Sequence, residues 1–221
     1  MPERREHQEA TVACVEEARE WAESHRKHAA MMYGKFPEYV KSLGGIRSCL
    51  EIGSGPATLA AMVAECNPQL HITALDISPD MVAVAQDYIE ERKLQDRIHL
   101  LIGDAADGGV MGGLGEFDLV YSFFSLHDWE DPQKVIGNLL EATADEGRLY
   151  LHDFRRVWWA RYLPLSSGEK HAIAAAYTPS EVRALLDQVG VRDYESRNAF
   201  PCFQSLVVKR NAAPAQSPIV S

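Results

Sequence analysis

The stretch that decides the fold reads Glu51-Ile52-Gly53-Ser54-Gly55-Pro56-Ala57 and joins an apolar strand to the start of a helix. Glycines let the backbone turn sharply, and they let a ligand approach the main chain closely. Asp76 ends the next predicted strand, about 20 residues on, where a carboxylate can accept hydrogen bonds from the hydroxyls of a ribose. Gly103-Asp104-Ala105 ends the third predicted strand. The glycine turn, Asp76 and the Gly103-Asp104-Ala105 turn together predict an adenosine site.

From residue 46 to residue 210, short apolar runs alternate with helical patterns. The predicted strands are residues 49–52, 71–77, 97–102, 117–124, 148–154, 193–197 and 203–208. Helix starts are marked by Ser78-Pro79, by Asp131-Pro132 and by the capping box that begins at Thr178. Strands that alternate with helices predict a parallel sheet covered on both faces. The last two strands have no helix between them and are predicted to pair antiparallel at one edge.

Two segments fall outside this alternation and divide the chain. Residues 1–45 are predicted to form a helical N-terminal cap on the main domain, residues 46–210. Residues 155–177 interrupt that domain as an inserted lid segment. Both segments could close over the carboxyl ends of the strands, where open α/β sheets bind ligands. Residues 211–221 are rich in Ala, Pro and Ser and are predicted to be a disordered tail.

The composition excludes several classes of partner. Lys and Arg total 22 and Asp and Glu total 32, so the formal net charge is −10. Such an acidic chain is predicted to bind neither nucleic acid nor an anionic membrane through its surface. No apolar run approaches the roughly 20 residues of a spanning helix. The N-terminus lacks the apolar stretch of a signal peptide, and the four cysteines are scattered, so we expect a cytoplasmic protein.

Four motifs in order, Leu50 to Gly55, Asp76, Asp104 and Phe117-Asp118-Leu119-Val120, resemble those of the class I S-adenosylmethionine-dependent methyltransferases. The resemblance implies a Rossmann-like, doubly wound seven-stranded α/β sheet with an antiparallel last strand, and S-adenosylmethionine as the cofactor. It also implies which residues contact the cofactor. The methionine end would bind at Glu51, Gly53, Ser54 and Gly55, and the ribose would bind at Asp76. The adenine would lie between Ile77 and the turn of Asp104 and Ala105, and Ser122 and Phe123 would lie near the sulfonium.

Two other functions fit part of this pattern. A nicotinamide cofactor would use a similar glycine turn, but Thr58 stands where dinucleotide binders have Gly or Ala, and no second mononucleotide-binding half follows. A non-catalytic protein that binds S-adenosylmethionine would keep the turn and Asp76. The polar strand-end residues described next argue against it, because a protein that only binds the cofactor does not need them.

The stretch from Ser125 to Asp131 resembles the L-H-D-W-x-D stretch of plant and bacterial small-molecule O-methyltransferases. That resemblance implies that His127 is the general base that deprotonates a hydroxyl, a task suited to an imidazole that titrates near neutrality. Those enzymes carry a long N-terminal dimerisation domain where this chain has residues 1–45. Quinone C-methyltransferases have a similar His-x-Trp without an obvious base. A structural His127, with methylation at carbon, nitrogen or sulfur, therefore stays open.

His152-Asp153 ends the strand predicted to lie beside the fourth one, so His127, Asp128 and His152 are the predicted catalytic residues. Asp128 and Asp153 could hold a divalent metal, as carboxylates do in catechol-type methyltransferases. Phe154 replaces the Asn that usually follows the second carboxylate, so no metal is predicted.

Aromatic residues of the two extra segments are the remaining candidates. Tyr33, Trp158 and Trp159 are predicted to bind a small-molecule methyl acceptor. No other partner is expected, and the chain is predicted to be a monomer or a homodimer.

Overall fold

The structure is a computed structural model that describes Arg4 and residues 14–211. Seven strands form one sheet in the order β3-β2-β1-β4-β5-β7-β6. The strands are β1 Ser48–Ile52, β2 His71–Asp76, β3 Ile98–Ile102, β4 Phe117–Phe123, β5 Thr143–Phe154, β6 Glu195–Ala199 and β7 Phe203–Lys209. β1 to β5 pair parallel, and β7 pairs antiparallel with both β5 and β6. The predicted fold class, a doubly wound sheet with an antiparallel last strand, is confirmed.

Helices cover both faces of this sheet. They are α1 Val15–Tyr33, α2 Phe36–Leu43, α3 Thr58–Cys66, α4 Pro79–Glu91, α5 Gly108–Gly112, α6 Pro132–Glu141, α7 Ser167–Ala175 and α8 Pro179–Gln188. Short 3-10 turns occupy Leu126–Asp128 and Trp158–Tyr162. α2, α3 and α4 bury one face of the sheet, while α6 and α8 bury the other. β4 is buried on both faces, as its nearly continuous apolar run predicts.

The predicted helix starts are confirmed. Ser78 Oγ accepts a hydrogen bond from the Met81 N–H at 3.3 Å, and Asp131 caps α6 in the same way. Thr178 and Glu181 form both hydrogen bonds of a capping box. β5 begins at Thr143, earlier than the apolar pattern predicts, because its first residues extend past a register shift opposite the start of β4.

The segment before the sheet forms two helices. α1 packs on α4, with Ala18 and Ala22 against Met81 and Val84, and α2 packs on α3. Apart from Arg4, residues 1–13 lie outside the described part of the chain, and so does the predicted tail except Asn211. Within the described part, no helix is long and apolar enough to cross a membrane.

Candidate functional site

The carboxyl ends of the parallel strands β1, β2, β4 and β5 meet along one edge of the sheet, and the predicted glycine turn lies there. Gly53 has φ +67°, and an added Cβ would collide with the Ser125 side chain. Its N–H donates to the Leu75 carbonyl at 2.9 Å. Gly55 also has a positive φ, of +50°. Position 53 therefore requires glycine both for its backbone conformation and for the close approach of the 124–125 turn.

Asp76 lies directly against the glycine turn. Its Oδ2 accepts a hydrogen bond from the Gly55 N–H at 2.6 Å, and its Oδ1 accepts one from the Ser78 N–H at 2.9 Å. Burial raises the pKa of Asp76, while the backbone N–H groups of Ser78 and Gly55 oppose that rise. The carboxylate predicted to bind a ribose is thus held at the end of β2 by the turn itself.

Two buried hydroxyls belong to this region, that of Ser54 within the turn and that of Thr58 just after it. Ser54 Oγ and Thr58 Oγ1 have no hydrogen-bond partner among the residues that the structure describes. Thr58 is the first residue of α3, whose N-cap Ala57 provides no side-chain cap. Buried polar atoms are normally hydrogen-bonded, so two orphaned hydroxyls at a helix N-terminus indicate a place for a polar ligand.

Two exposed isoleucines stand at the ends of β2 and β3. Ile77, which follows β2, is 66% exposed, and Ile102, the last residue of β3, is 57% exposed. Asp76 and Ile102 are register partners, so the two side chains stand at neighbouring strand ends. The next turn is ordered by Asp104, whose Oδ1 accepts from the Ala106 N–H at 2.8 Å, and Ala105 is buried behind it. Two exposed apolar side chains beside a polar turn suit a flat ring with polar edges. Ile102 was not predicted as a site residue from the sequence, although its position just before Gly103 could have indicated it.

Glu51 is a buried carboxyl at the end of β1. The Tyr121 hydroxyl donates to its Oε2 at 3.2 Å. Burial raises the pKa of Glu51 from 4.5 to about 8, and the charge of Asp76 adds to the rise. Among the described residues, no Lys or Arg forms an ion pair with Glu51 or Asp76. Glu51 and Asp76 therefore place two carboxyl groups at the turn, and no Lys or Arg of the described chain neutralises their negative charge.

A pH dependence of stability follows. The folded pKa of Glu51 lies above its unfolded value, so the folded protein binds the extra proton between about pH 5 and pH 8. In ligand-free protein, the unfolding free energy of wild type should therefore fall as the pH rises, whereas that of Glu51→Gln lacks this contribution. The difference between the two proteins should change by at most about 1.4 kcal/mol per pH unit. Urea denaturation at pH 5.5, 7 and 8.5 measures this. Glu91→Gln, at an exposed carboxyl of α4, is the matched control. Parallel pH profiles of wild type and Glu51→Gln would contradict it.

The end of β4 is tied to both neighbouring strands. Ser122 Oγ donates to the Ile52 carbonyl at 3.0 Å, and Phe123 is buried. Phe124 follows with φ +55°, a left-handed conformation that is uncommon for a non-glycine residue, and its N–H donates to the His152 carbonyl at 2.8 Å. This strained backbone turns the chain at the strand end and leads into the 3-10 turn that carries His127.

His127 is held by two carboxylates. Its Nδ1 and its backbone N–H each donate to Asp153, both at 2.8 Å. Asp128 Oδ2 lies 3.3 Å from Nε2, and the Asp128 side chain is 18% exposed, against 5% for the imidazole. The Arg4 guanidinium donates a hydrogen bond to the His127 carbonyl at 3.1 Å. The structure thus brings His127, Asp128 and Asp153 together.

His152 lies on the opposite face of β5 from Asp153, as alternation along a strand requires. Its Nδ1 is hydrogen-bonded to Ser205 Oγ at 2.7 Å, and its ring stacks on Phe203 with centroids 5.7 Å apart. Phe123 lies 4.8 Å away on the same face. Burial lowers the pKa of His152 to about 4, so the imidazole is neutral at pH 7. The structure does not place His152 against His127.

The three predicted acceptor-binding residues lie in two places. Tyr33 is buried at the end of α1, edge-on to Phe123 with centroids 5.7 Å apart. Trp158 is exposed and stands edge-on to Trp159, which packs against the small cluster that contains Val157 and Ile173. α7 contacts the 3-10 turn that carries His127. Within the described ranges, no group of three or more His, Cys, Asp or Glu side chains could hold a metal ion.

Comparison with known proteins identifies the type of domain. Residues 50–149 match a family model described as a methyltransferase domain. Demethylmenaquinone methyltransferase of Thermus thermophilus is 29% identical over 148 residues, which are 61% of this chain and 66% of that protein. In seven curated relatives, the alignments cover between 20% and 66% of the relative's own length.

Solved structures share the fold. An O-methyltransferase family protein from Burkholderia thailandensis superposes with a TM-score of 0.72 at 19% identity, over 95% of this chain and 64% of that one. Human N-acetylserotonin methyltransferase, solved in complex with S-adenosylmethionine, superposes with a TM-score of 0.69 at 19% identity, over 92% of this chain and 58% of that one. At these identities the likeness shows the fold alone.

Proposed function

Because the chain carries a methyltransferase domain of the class I S-adenosylmethionine-dependent type, we propose that it transfers a methyl group from S-adenosylmethionine to a small molecule. The observation that carries this proposal is the glycine turn locked to Asp76 by the hydrogen bond from Gly55. That hydrogen bond holds the buried Asp76 carboxylate at the edge of the turn, where the ribose of an adenosine would bind.

The residues present fit this cofactor. Ser54 and Thr58 offer the two orphaned hydroxyls to the polar methionine end. Ile77 and Ile102 supply apolar surface for the adenine, and the Asp104-Ala105 turn lies at its edge. Ser122 and Phe123 are proposed to line the cofactor beside β4. When bound, the cofactor supplies a methyl group on a positively charged sulfur.

Small-molecule O-methylation is the reaction that we favour, with His127 as the general base. Asp153 accepts from Nδ1–H and so fixes the tautomer whose Nε2 can take a proton from the acceptor hydroxyl. Asp128 Oδ2 lies 3.3 Å from Nε2, and the Asp128 side chain is proposed to shift when the acceptor binds. The remaining rate gain comes from alignment of donor and acceptor in a site that excludes water.

The acceptor is proposed to bind between the predicted cap and the predicted lid, residues 1–45 and 155–177. His152 presents a neutral imidazole to that side, among the rings of Phe123 and Phe203. Trp158 and Trp159 are proposed to cover the acceptor from the lid. No metal is needed in this scheme, because the base is an imidazole.

A second candidate is methylation at carbon, nitrogen or sulfur with His127 as a structural residue. The observation that favours it is the contact of both imidazole nitrogens with carboxylates, Asp153 at 2.8 Å and Asp128 at 3.3 Å. Such an arrangement stabilises an imidazolium, which cannot take up a further proton.

The test is methyl transfer from S-adenosylmethionine labelled at the methyl group. Phenols and catechols are offered as hydroxyl acceptors, alongside carbon, amine and thiol acceptors, and the methylated atom is identified by mass spectrometry and NMR. An O-methyl product supports the favoured reaction, and a C-, N- or S-methyl product supports the second candidate. Cofactor binding without transfer to any member of the panel would favour a non-catalytic binding protein.

A further inference from the structure

α1 carries a ladder of three aromatic side chains, Trp21, His25 and Tyr33, over the glycine turn. Trp21 stacks on His25 with ring centroids 4.4 Å apart and an angle of 18° between the planes. His25 Nε2 is hydrogen-bonded to the Tyr33 hydroxyl. At the other end, Trp21 Cζ3 would lie 3.8 Å from a Cβ added at Gly55. The ladder therefore reaches from the glycine turn to the end of β4.

The protonation states in this ladder follow from burial. Burial, together with the charges of Arg26 and His28, lowers the pKa of His25 to about 4, so the imidazole is neutral at pH 7. Burial raises the pKa of Tyr33 well above its usual range, and the charge of Glu51 adds to this. Among the described residues, the hydrogen-bond partner of the Tyr33 hydroxyl is His25 Nε2. A neutral imidazole has one unprotonated nitrogen; in the tautomer that leaves Nε2 unprotonated, the phenol donates to His25 and keeps its oxygen lone pairs for a second partner.

That oxygen shares its surroundings with the two carboxyl groups of the turn. Tyr33 packs edge-on against Phe123, at the end of the strand whose Tyr121 hydroxyl donates to Glu51. Trp21, at the other end of the ladder, approaches Gly55, whose N–H donates to Asp76. All three groups present oxygen atoms that can accept hydrogen bonds. A ligand with a cationic N–H group complements such a set of acceptors. The methionine ammonium of the proposed cofactor is such a group.

We propose that His25 is a positioning residue for the cofactor: beneath Trp21, it holds the Tyr33 oxygen as an acceptor for the methionine ammonium. The inference rests on the proposed function. It assigns Tyr33 to the cofactor side of the cleft, whereas the sequence reasoning assigned it to the acceptor. His25 acts through Tyr33 and does not touch the reacting atoms.

The test compares S-adenosylhomocysteine with its deamino analogue, which lacks only the ammonium group. We expect His25→Phe, which preserves the stacking on Trp21 but removes the hydrogen-bond acceptor, to weaken S-adenosylhomocysteine binding about tenfold. Affinity for the deamino analogue should stay unchanged. Tyr33→Phe should have the same selective effect. His28→Phe, at an exposed histidine one turn along α1, is the matched control and should change neither affinity.

Two further variants separate positioning from general damage to the fold. His25→Gln restores an acceptor for the Tyr33 hydroxyl and should recover most of the affinity. In the Tyr33→Phe background, His25→Phe should have no further effect, since both changes remove the same contact. Equal weakening of both ligands, or additive effects, would overturn the inference while leaving the proposed function intact. If wild type binds neither ligand, the proposed function fails, and the inference fails with it.

Discussion

His127→Ala is expected to lower the rate of O-methylation about a thousandfold at saturating acceptor and cofactor, because it removes the general base. Affinity for S-adenosylhomocysteine should not change, since His127 contacts Asp128 and Asp153 rather than the glycine turn. Asp153 keeps two backbone donors in the variant, the N–H groups of residue 127 and Phe154, so the fold should survive. Initial rates and calorimetric titration measure the two quantities.

The effect of His127→Ala is compared with that of a control substitution at another histidine, and the methylation rate is measured as a function of pH. His99→Ala, at an exposed position of β3, is the matched control and should retain full activity. The wild-type rate should rise with pH as the base loses its proton, and this limb should vanish in His127→Ala. Unchanged turnover of an identified hydroxyl acceptor by His127→Ala would contradict the general-base role and favour the structural one.

Asp76→Ala is expected to weaken S-adenosylhomocysteine binding about a hundredfold. The carboxylate accepts the Gly55 and Ser78 N–H groups, and in the complex it would also accept hydrogen bonds from the ribose. Hydrogen bonds to a charged group contribute about 1.5–3 kcal/mol each, and the loss of one or two gives a change of this order. Titration of wild type and variant measures it.

The control for this variant is Asp96→Ala, which removes an exposed carboxylate before β3. Asp76→Asn distinguishes charge from shape, because the amide fits the same space but can accept only through one oxygen. It should weaken binding less than Asp76→Ala does. If Asp76→Ala bound the ligand as tightly as wild type, the ribose role of Asp76 would be wrong.

The sheet could be predicted from local patterns because each of its elements carries its own signal. Continuous apolar strands and capped helices have periodicities that sequence reasoning can detect. The start of β5 was missed because its first residues, from Thr143, are not apolar; they belong to the sheet only by pairing past a register shift. Pairing of this kind depends on the neighbouring strand and leaves no local signal.

The site was predictable wherever strand ends determine it. Asp76 and Gly55 meet because β1 and β2 are neighbours and parallel. The different faces of His152 and Asp153 could also have been inferred, since successive residues of a strand point to opposite faces. Grouping His152 with His127 by strand end alone overlooked that alternation.

Contacts made by docked helices could not be predicted in this way. Trp21 and His25 belong to a helix with a thin apolar face, and only the packing of α1 on α4 brings them over the glycine turn. Their spacing in the sequence does not indicate which strand they face. The same holds for Arg4, which donates to the His127 carbonyl although 123 residues separate the two in sequence.

The most direct test of the central claim is calorimetric titration of the purified protein with S-adenosylhomocysteine, with NADH titrated in parallel. The glycine turn, Asp76 and the orphaned hydroxyls of Ser54 and Thr58 predict saturable binding of S-adenosylhomocysteine and no binding of NADH. Binding of NADH alone would contradict the account and indicate a nicotinamide cofactor. Absence of binding for both ligands, with and without candidate acceptors, would contradict the cofactor site itself.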